Sequence, residues 1–358
     1  MIPLLVSLAL VLALTPWVRS LAVRWGAVDF PNQRKIHSGV MPRLGGVAIY
    51  LAFIPVALAV YWPEMPVLGL AAGCTIILLL GMLDDVKTIS PRVKLAGQTL
   101  AALAVIPFGI RVEFITNPFN NEILNLGVLA VPVTVLWLVA VTNAVNLIDG
   151  LDGLAGGVSC ISSLTMAVVA ITQFKIFGDP AQLLVMTLSL MVAASTLGFL
   201  RYNFYPASIF LGDSGSMLLG FSLGSISIIG LTKSATAISV IIPIVVMGIP
   251  LLDTVFAILR RFKENRPIFQ PDREHLHHQL LARGFSHRQA VLVIYAVSLV
   301  MGASAVIMNL LTTNQAMLLL AVLATVVIVT ANKIKITGGG VGIKGGYKTK
   351  EIERSTKM

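Results

Sequence analysis

Long apolar runs alternate with short polar stretches along nearly the whole chain. A helix needs about 20 mostly apolar residues to cross a bilayer. Runs of that kind predict eleven membrane helices, at 2–20, 44–62, 66–83, 93–110, 127–146, 156–176, 181–200, 215–231, 236–258, 289–309 and 315–332. The expected fold is therefore an all-α polytopic membrane protein, with residues 1–332 as one integral-membrane domain. The connections are too short to hold a soluble domain, and no internal repeat is evident. One connection has its own pattern. Val112-Glu113-Phe114-Ile115-Thr116 alternates apolar and polar residues, breaks at Asn117-Pro118-Phe119-Asn120-Asn121, and resumes at Glu122-Ile123-Leu124. That pattern predicts a small β-hairpin. The basic stretch 333–358, glycine-rich from Gly338, has almost no apolar surface to bury and is expected to be disordered. Its glycines do not form a phosphate-binding loop, because no Gly-Lys-Ser/Thr follows them.

Composition agrees with this assignment: 56% of residues are hydrophobic and 12% charged, and the mean hydropathy is +0.90. Charge then orients the helices. With the N-terminus outside, the loops 19–43, 84–94, 201–214 and 259–288 and the stretch 333–358 face the cytoplasm, and they hold 23 of the 26 Lys and Arg residues. Only Arg111, Lys175 and Lys233 lie opposite, so the positive-inside bias puts the C-terminus in the cytoplasm and the hairpin outside. The net charge of +10 thus belongs to one face, where it serves topology and attraction to anionic membrane lipid. The basic residues are scattered over several loops with no recognisable binding module, which argues against a nucleic-acid partner. The first segment has neither a basic leader nor a small-residue cleavage site after Pro16, and reads as a retained helix. Cys74 and Cys160 fall inside spans, as structural thiols do.

The chemistry sits at helix ends on the cytoplasmic side. Asp84 and Asp85 close the third run, and Lys94 follows at the start of the fourth. Adjacent carboxylates repel, so they are most useful beside a cation or in proton transfer. In Asn143-Ala-Val-Asn146-Leu-Ile-Asp149-Gly-Leu-Asp152-Gly, polar residues three apart share a helix face, and the glycines let backbone approach a ligand. Asn203 lies in the next cytoplasmic loop, which ends in Phe210-Leu-Gly-Asp213. Asp213 also suits an N-cap. The string Gly212-Asp213-Ser214-Gly215 is not a serine-protease nucleophile, because no matching His and Asp elements accompany it. The last loop carries Arg260, Arg261, Arg266, Asp272-Arg273-Glu274-His275-Leu276-His277-His278 and Arg283. These histidines lack the Cys or further His of a tetrahedral zinc site. Arg and His donors facing phosphate oxygens would supply charge and directed hydrogen bonds together. Asp253, inside a predicted span, either pairs with a neighbour or marks a functional polar site.

Taken together, Asp84-Asp85, Asn146-Leu-Ile-Asp149-Gly-Leu-Asp152-Gly-Leu, Phe210-Leu-Gly-Asp213 and His275-Leu-His277-His278 resemble the polyprenyl-phosphate N-acetylhexosamine-1-phosphate transferases. The early string Asp29-Phe-Pro-Asn-Gln-Arg34-Lys35-Ile-His37, with Pro42-Arg43-Leu-Gly45-Gly46, is similar to theirs as well, and the resemblance runs from about Leu14 to Leu320. His275-Leu-His277-His278 departs from the three consecutive histidines usual in the muramoyl-pentapeptide branch and is similar to the N-acetylglucosamine-1-phosphate branch. That branch starts teichoic acid linkage units, O-antigen or common-antigen glycans. The resemblance implies that undecaprenyl phosphate attacks the β-phosphorus of UDP-N-acetylglucosamine and releases UMP. It implies Mg²⁺, or Mn²⁺ in its place, bound by Asp213, and Lys94 on the diphosphate. Asp84 or Asp85 would deprotonate or orient the lipid phosphate. Asn146, Asp149 and Asn203 would position the nucleotide, with Asp152 a weaker member of the set. Phe210 would stack on uracil, while His277 and His278 would hold the phosphate-sugar end; Arg260 and Arg261, from their charge alone, are further candidates to face phosphate oxygens. A homodimer is also implied. A muramoyl-pentapeptide transferase and a proton-coupled transporter or lipid-carrier flippase remain as alternatives.

Overall fold

The computed structural model describes residues 2–30, 40–117, 122–231, 241–263 and 275–333. Its elements run α1 (Ile2–Arg24), β1 (Val28–Asp29), β2 (Met41–Pro42), α2 (Gly45–Tyr61), α3 (Met65–Lys87) and α4 (Pro91–Val105). There follow β3 (Phe114–Thr116), β4 (Ile123–Asn125), α5 (Ala130–Leu147), α6 (Leu154–Phe177), α7 (Ala181–Asn203) and α8 (Gly212–Leu231). The chain continues with α9 (Ile241–Val246), α10 (Gly248–Lys263), α11 (Leu276–Ala282), α12 (His287–Leu310) and α13 (Thr313–Lys333). Seven helices, α1, α3, α5, α6, α7, α12 and α13, are long and apolar enough to cross a membrane, and α2 is a shorter apolar helix. The protein is a multi-pass, all-α membrane protein.

The centre of the bundle is α8, which is buried from Ser214 to Ile229 and packs against α2, α3, α5, α6 and α7. Its composition explains the position. Ser214, Gly215, Ser216, Gly220, Ser222, Gly224, Ser225 and Ser227 present little bulk on any face, and small residues let membrane helices approach closely where lipid gives no hydrophobic drive between them. Gly46 on α2 and Gly81 on α3 lie so close that a Cβ at either would meet the backbone of Ser214. By contrast α13 packs mainly on α12 and keeps its apolar surface outward.

Three local results differ from the sequence-based expectation. The segment expected as one helix over 236–258 is broken at Met247 into α9 and α10 where it is described. Pro250 has no N–H to give the carbonyl of Val246, and Ser162 Oγ donates to that carbonyl at 3.1 Å instead. The loop before α12 holds the short helix α11, and β1 pairs antiparallel with β2 ahead of α2. The hairpin is present, with Phe114, Ile115 and Thr116 opposite Asn125, Leu124 and Ile123. Its tip at 118–121, the motif residues Arg34, Lys35 and His37, Asp272-Arg273-Glu274 and the tail from residue 334 lie outside the described residues.

Candidate active site

The polar helix ends converge at one end of α8. Asp85, on the last turn of α3, is buried and accepts the backbone N–H of Asp213 at 2.9 Å on Oδ1 and that of Ser214 at 3.0 Å on Oδ2. It therefore caps α8 from a neighbouring helix, satisfying two of the amides that a helix N-terminus leaves open. Arg43 Nη2 also donates to Asp85 Oδ1, at 3.2 Å. Asp84, one residue earlier, accepts the N–H of Ile89 at 2.7 Å and meets Lys94 Nζ at 2.6 Å.

Asp213, in the first turn of α8, is the meeting point. Its Oδ1 accepts from Asn146 Nδ2 at 2.5 Å and from Lys94 Nζ at 3.2 Å, and its Oδ2 lies 3.6 Å from Arg43 Nη2. Arg43 also reaches Asp29 at 3.5 Å. Two cations are thus threaded between four carboxylates. Asp149 adds a fifth carboxylate nearby, pushed well above the usual carboxylate range by burial first and then by the charges of Asp213 and Asp85. Facing Asp85, Asp213 and Asp29 raises the pKa of Arg43 against the opposing effect of its burial.

A pocket of about 400 Å³ opens beside this cluster, lined by Asp29, Arg43, Asn146, Asp149, Asp152, Asn203, Phe210, Asp213 and His278, with Tyr205 and His287. That volume suits a small-molecule site, for which roughly 300–1,000 Å³ is usual. Asp152 and Asn203 shape the wall more than they offer free groups to it. Asp152 Oδ2 accepts from the N–H of Ala207 at 3.0 Å, while Asn203 accepts from Gly153 N–H at 3.1 Å and donates to the Ile209 carbonyl at 3.0 Å. Phe210 is held against the start of α2 by its N–H bond to Pro42 O at 2.8 Å.

The histidines come in on α11. Asp253, on α10, accepts the N–H of Leu276 at 2.9 Å and bonds His275 Nδ1 at 2.9 Å. Asp253 thus pairs with a neighbour, the plainer of its two readings. With α11 pinned in this way, His278 reaches the pocket and His277 lies buried behind it, ring against ring at 4.1 Å. A Cβ at Gly150 would strike the His277 ring, so only glycine permits this approach of the 150–153 loop. Burial and the neighbouring histidines hold His277 neutral, its pKa lowered to about 3. Arg260 and Arg261, on the last turn of α10, do not line the pocket, and Arg260 is buried.

Among the described residues, no group of three or more His, Cys, Asp or Glu side chains is placed to hold a metal ion. Mg²⁺ needs only one or two carboxylates, with substrate phosphates and water completing its shell. Asp213, with Asp84 within hydrogen-bonding reach of it, offers hard oxygen donors where carboxylates outnumber cations. That donor set fits Mg²⁺. In the sequence Arg43 counts only as a topology-setting cation and Asp29 as a member of a polar string; the fold sets Arg43 between Asp29, Asp85 and Asp213. Tyr205 and His287, stacked with ring centroids 4.5 Å apart, carried no spacing signal because they come from separate elements.

The sequence profile of Glycosyl transferase family 4 matches residues 67–231. A Bacillus subtilis protein described as "Probable undecaprenyl-phosphate N-acetylglucosaminyl 1-phosphate transferase" is 43% identical over 306 residues, covering 85% of this chain and 84% of its own. A Mycolicibacterium smegmatis decaprenyl-phosphate N-acetylglucosaminephosphotransferase is 34% identical, over 78% of this chain and 75% of its own. A Yersinia pestis undecaprenyl-phosphate alpha-N-acetylglucosaminyl 1-phosphate transferase is 29% identical, over 77% and 75%.

Proposed function

Since the chain belongs to the polyprenyl-phosphate N-acetylglucosamine-1-phosphate transferases of glycosyl transferase family 4, we propose that it transfers N-acetylglucosamine-1-phosphate from UDP-N-acetylglucosamine to undecaprenyl phosphate. The products are undecaprenyl-diphosphate-N-acetylglucosamine and UMP. The carrying observation is the convergence of Lys94, Arg43 and Asn146 on Asp213 at the edge of a polar pocket. An anionic lipid phosphate must meet an anionic diphosphate, and fixed cations at that point lower the electrostatic barrier.

In this reading Lys94 and Arg43 turn from their carboxylates toward phosphate oxygens when donor binds. Asp85, committed to the α8 amides, holds Asp213 in place. Asp84, beside Lys94, orients the lipid phosphate and accepts its proton. Phe210 and the 149–152 loop take the nucleotide, and His278, backed by His277, faces the phosphate-sugar end. Mg²⁺, held by Asp213 and the phosphate oxygens, would neutralise charge on the departing UMP. The reading puts the site on the cytoplasmic face of the inner membrane, where a soluble nucleotide sugar and a bilayer-bound phosphate can meet; the excess of Lys and Arg in the loops on the side of Asp84, Asp149 and Asp213 supports that orientation. The product begins an envelope glycan.

Incubation of purified protein with undecaprenyl phosphate, Mg²⁺ and one donor at a time tests the reading. UDP-N-acetylglucosamine should yield UMP and a lipid of the expected mass, and UDP-muramoyl-pentapeptide hardly any. A higher kcat/KM for the muramoyl donor would overturn the donor assignment, and no UMP from either donor would overturn the transferase reading.

A further inference from the structure

One helical turn beneath the charged cluster lies a second polar layer built from the same three helices. Gln98 follows Lys94 by four residues on α4, Asn143 precedes Asn146 by three on α5, and Met217 follows Asp213 by four on α8. Residues three or four apart share a helix face, so each helix contributes one member to each layer. In the lower layer Asn143 Nδ2 donates to Gln98 Oε1 at 2.7 Å, and Gln98 Nε2 returns a bond to Asn143 Oδ1 at 3.2 Å. The second Gln98 donor reaches Met217 Sδ at 3.3 Å, and the second Asn143 donor the Val139 carbonyl at 2.8 Å. Every amide group of the pair is used, and Gln98 is 1% exposed.

We propose that Gln98 and Asn143 are positioning residues: a reciprocal amide clasp that fixes the register of α4 and α5 on α8, and thereby brings Lys94 and Asn146 onto one oxygen of Asp213. Two amides inside a membrane bundle are costly unless they satisfy each other, and the reciprocal geometry admits one register. A slip of one residue moves a helix by about 1.5 Å along its axis and turns it by about 100°, which breaks both bonds. Apolar residues at these positions would tolerate sliding. The upper layer does not, because Lys94 and Asn146 both donate to Asp213 Oδ1, and an error of about 1 Å in a catalytic constellation can cost roughly 100-fold in rate.

The inference rests on the proposed transfer reaction. It is tested with wild type, Gln98→Leu, Asn143→Leu, the exchanged pair Gln98→Asn with Asn143→Gln, and the double leucine variant, all assayed for UMP release in lipid nanodiscs. Each single leucine variant should lose roughly 10–100-fold in kcat with donor KM little changed, and the exchanged pair should recover most of the loss. In a Lys94→Arg background, Gln98→Leu should cost much less than in wild type, since coupled residues are not additive. A folded Gln98→Leu protein at the wild-type rate, or an equal fold loss in both backgrounds, would overturn the proposal. If the single variants do not fold, the double leucine variant, which leaves no orphan amide, takes their place, and its turnover at the wild-type rate would overturn it equally. An inactive wild type would sink the transfer reaction itself.

Discussion

Asp149 shows how a residue can be retained against stability. It faces the pocket near Asp213, Asp85 and Asp152, and burial with those charges raises its pKa well above 3.8. A carboxyl whose folded pKa is raised favours the folded state below its unfolded pKa and loses that contribution as pH rises through the folded value. Ionising Asp149 near neutral pH is therefore expected to cost stability. Asp149→Asn removes the charge and keeps the shape, so it should raise the thermal midpoint at pH 7 by a few degrees, with the gain shrinking toward pH 4, while transfer falls at least tenfold. Thermal unfolding in nanodiscs at the two pH values checks the first part. A lowered midpoint at pH 7 would show that the charge is favourably paired in the folded protein.

At the scale of elements, the site depends on how closely α3 and α2 reach α8. A Cβ at Gly81 would press on Ser214 Cα and N, the backbone that Asp85 caps. Backbone cannot yield as a side-chain tip can, and overpacking costs about 1–3 kcal/mol. Gly81→Ala should push α3 from α8, part Asp85 from its amides, and lower turnover roughly 100-fold. Gly97→Ala is the control, because the atoms nearest its added methyl belong to the Leu80 side chain, not to backbone, and most activity should survive there. Equal turnover of the two variants, normalised to folded protein, would count against the close approach as the reason for Gly81.

For the whole molecule, orientation is the accessible question. Cys74 and Cys160 are buried and should react little with an impermeant maleimide in sealed cells. Single cysteines at Lys87, just past Asp84-Asp85, and at exposed Leu124 in the hairpin then report opposite faces. Leu124→Cys should label from outside, and Lys87→Cys only after the membrane is opened. The reverse pattern would invert the topology and put the site on the wrong side for a cytosolic nucleotide sugar.

The chain alone determined the helical, multi-pass class and nearly every helix position, because a segment in lipid must satisfy its own backbone and the length of an apolar run is enough to reveal it. It also determined the hairpin, where period-two alternation is local, and it singled out Asp84, Asp85, Asn146, Asp149 and Asp213 as carboxylates and amides out of place in apolar surroundings. The tertiary structure decided who meets whom. Arg43 was one of 26 Lys and Arg residues until packing set it between Asp85, Asp213 and Asp29. Asp85 proved to be the cap of α8, and Asp152 and Asn203 ties between loops, because their partners are far away in sequence. The break at Met247 was hidden for a related reason. Membrane helices tolerate Pro and Gly when a neighbour serves the freed carbonyl, and that neighbour, Ser162, lies 84 residues away.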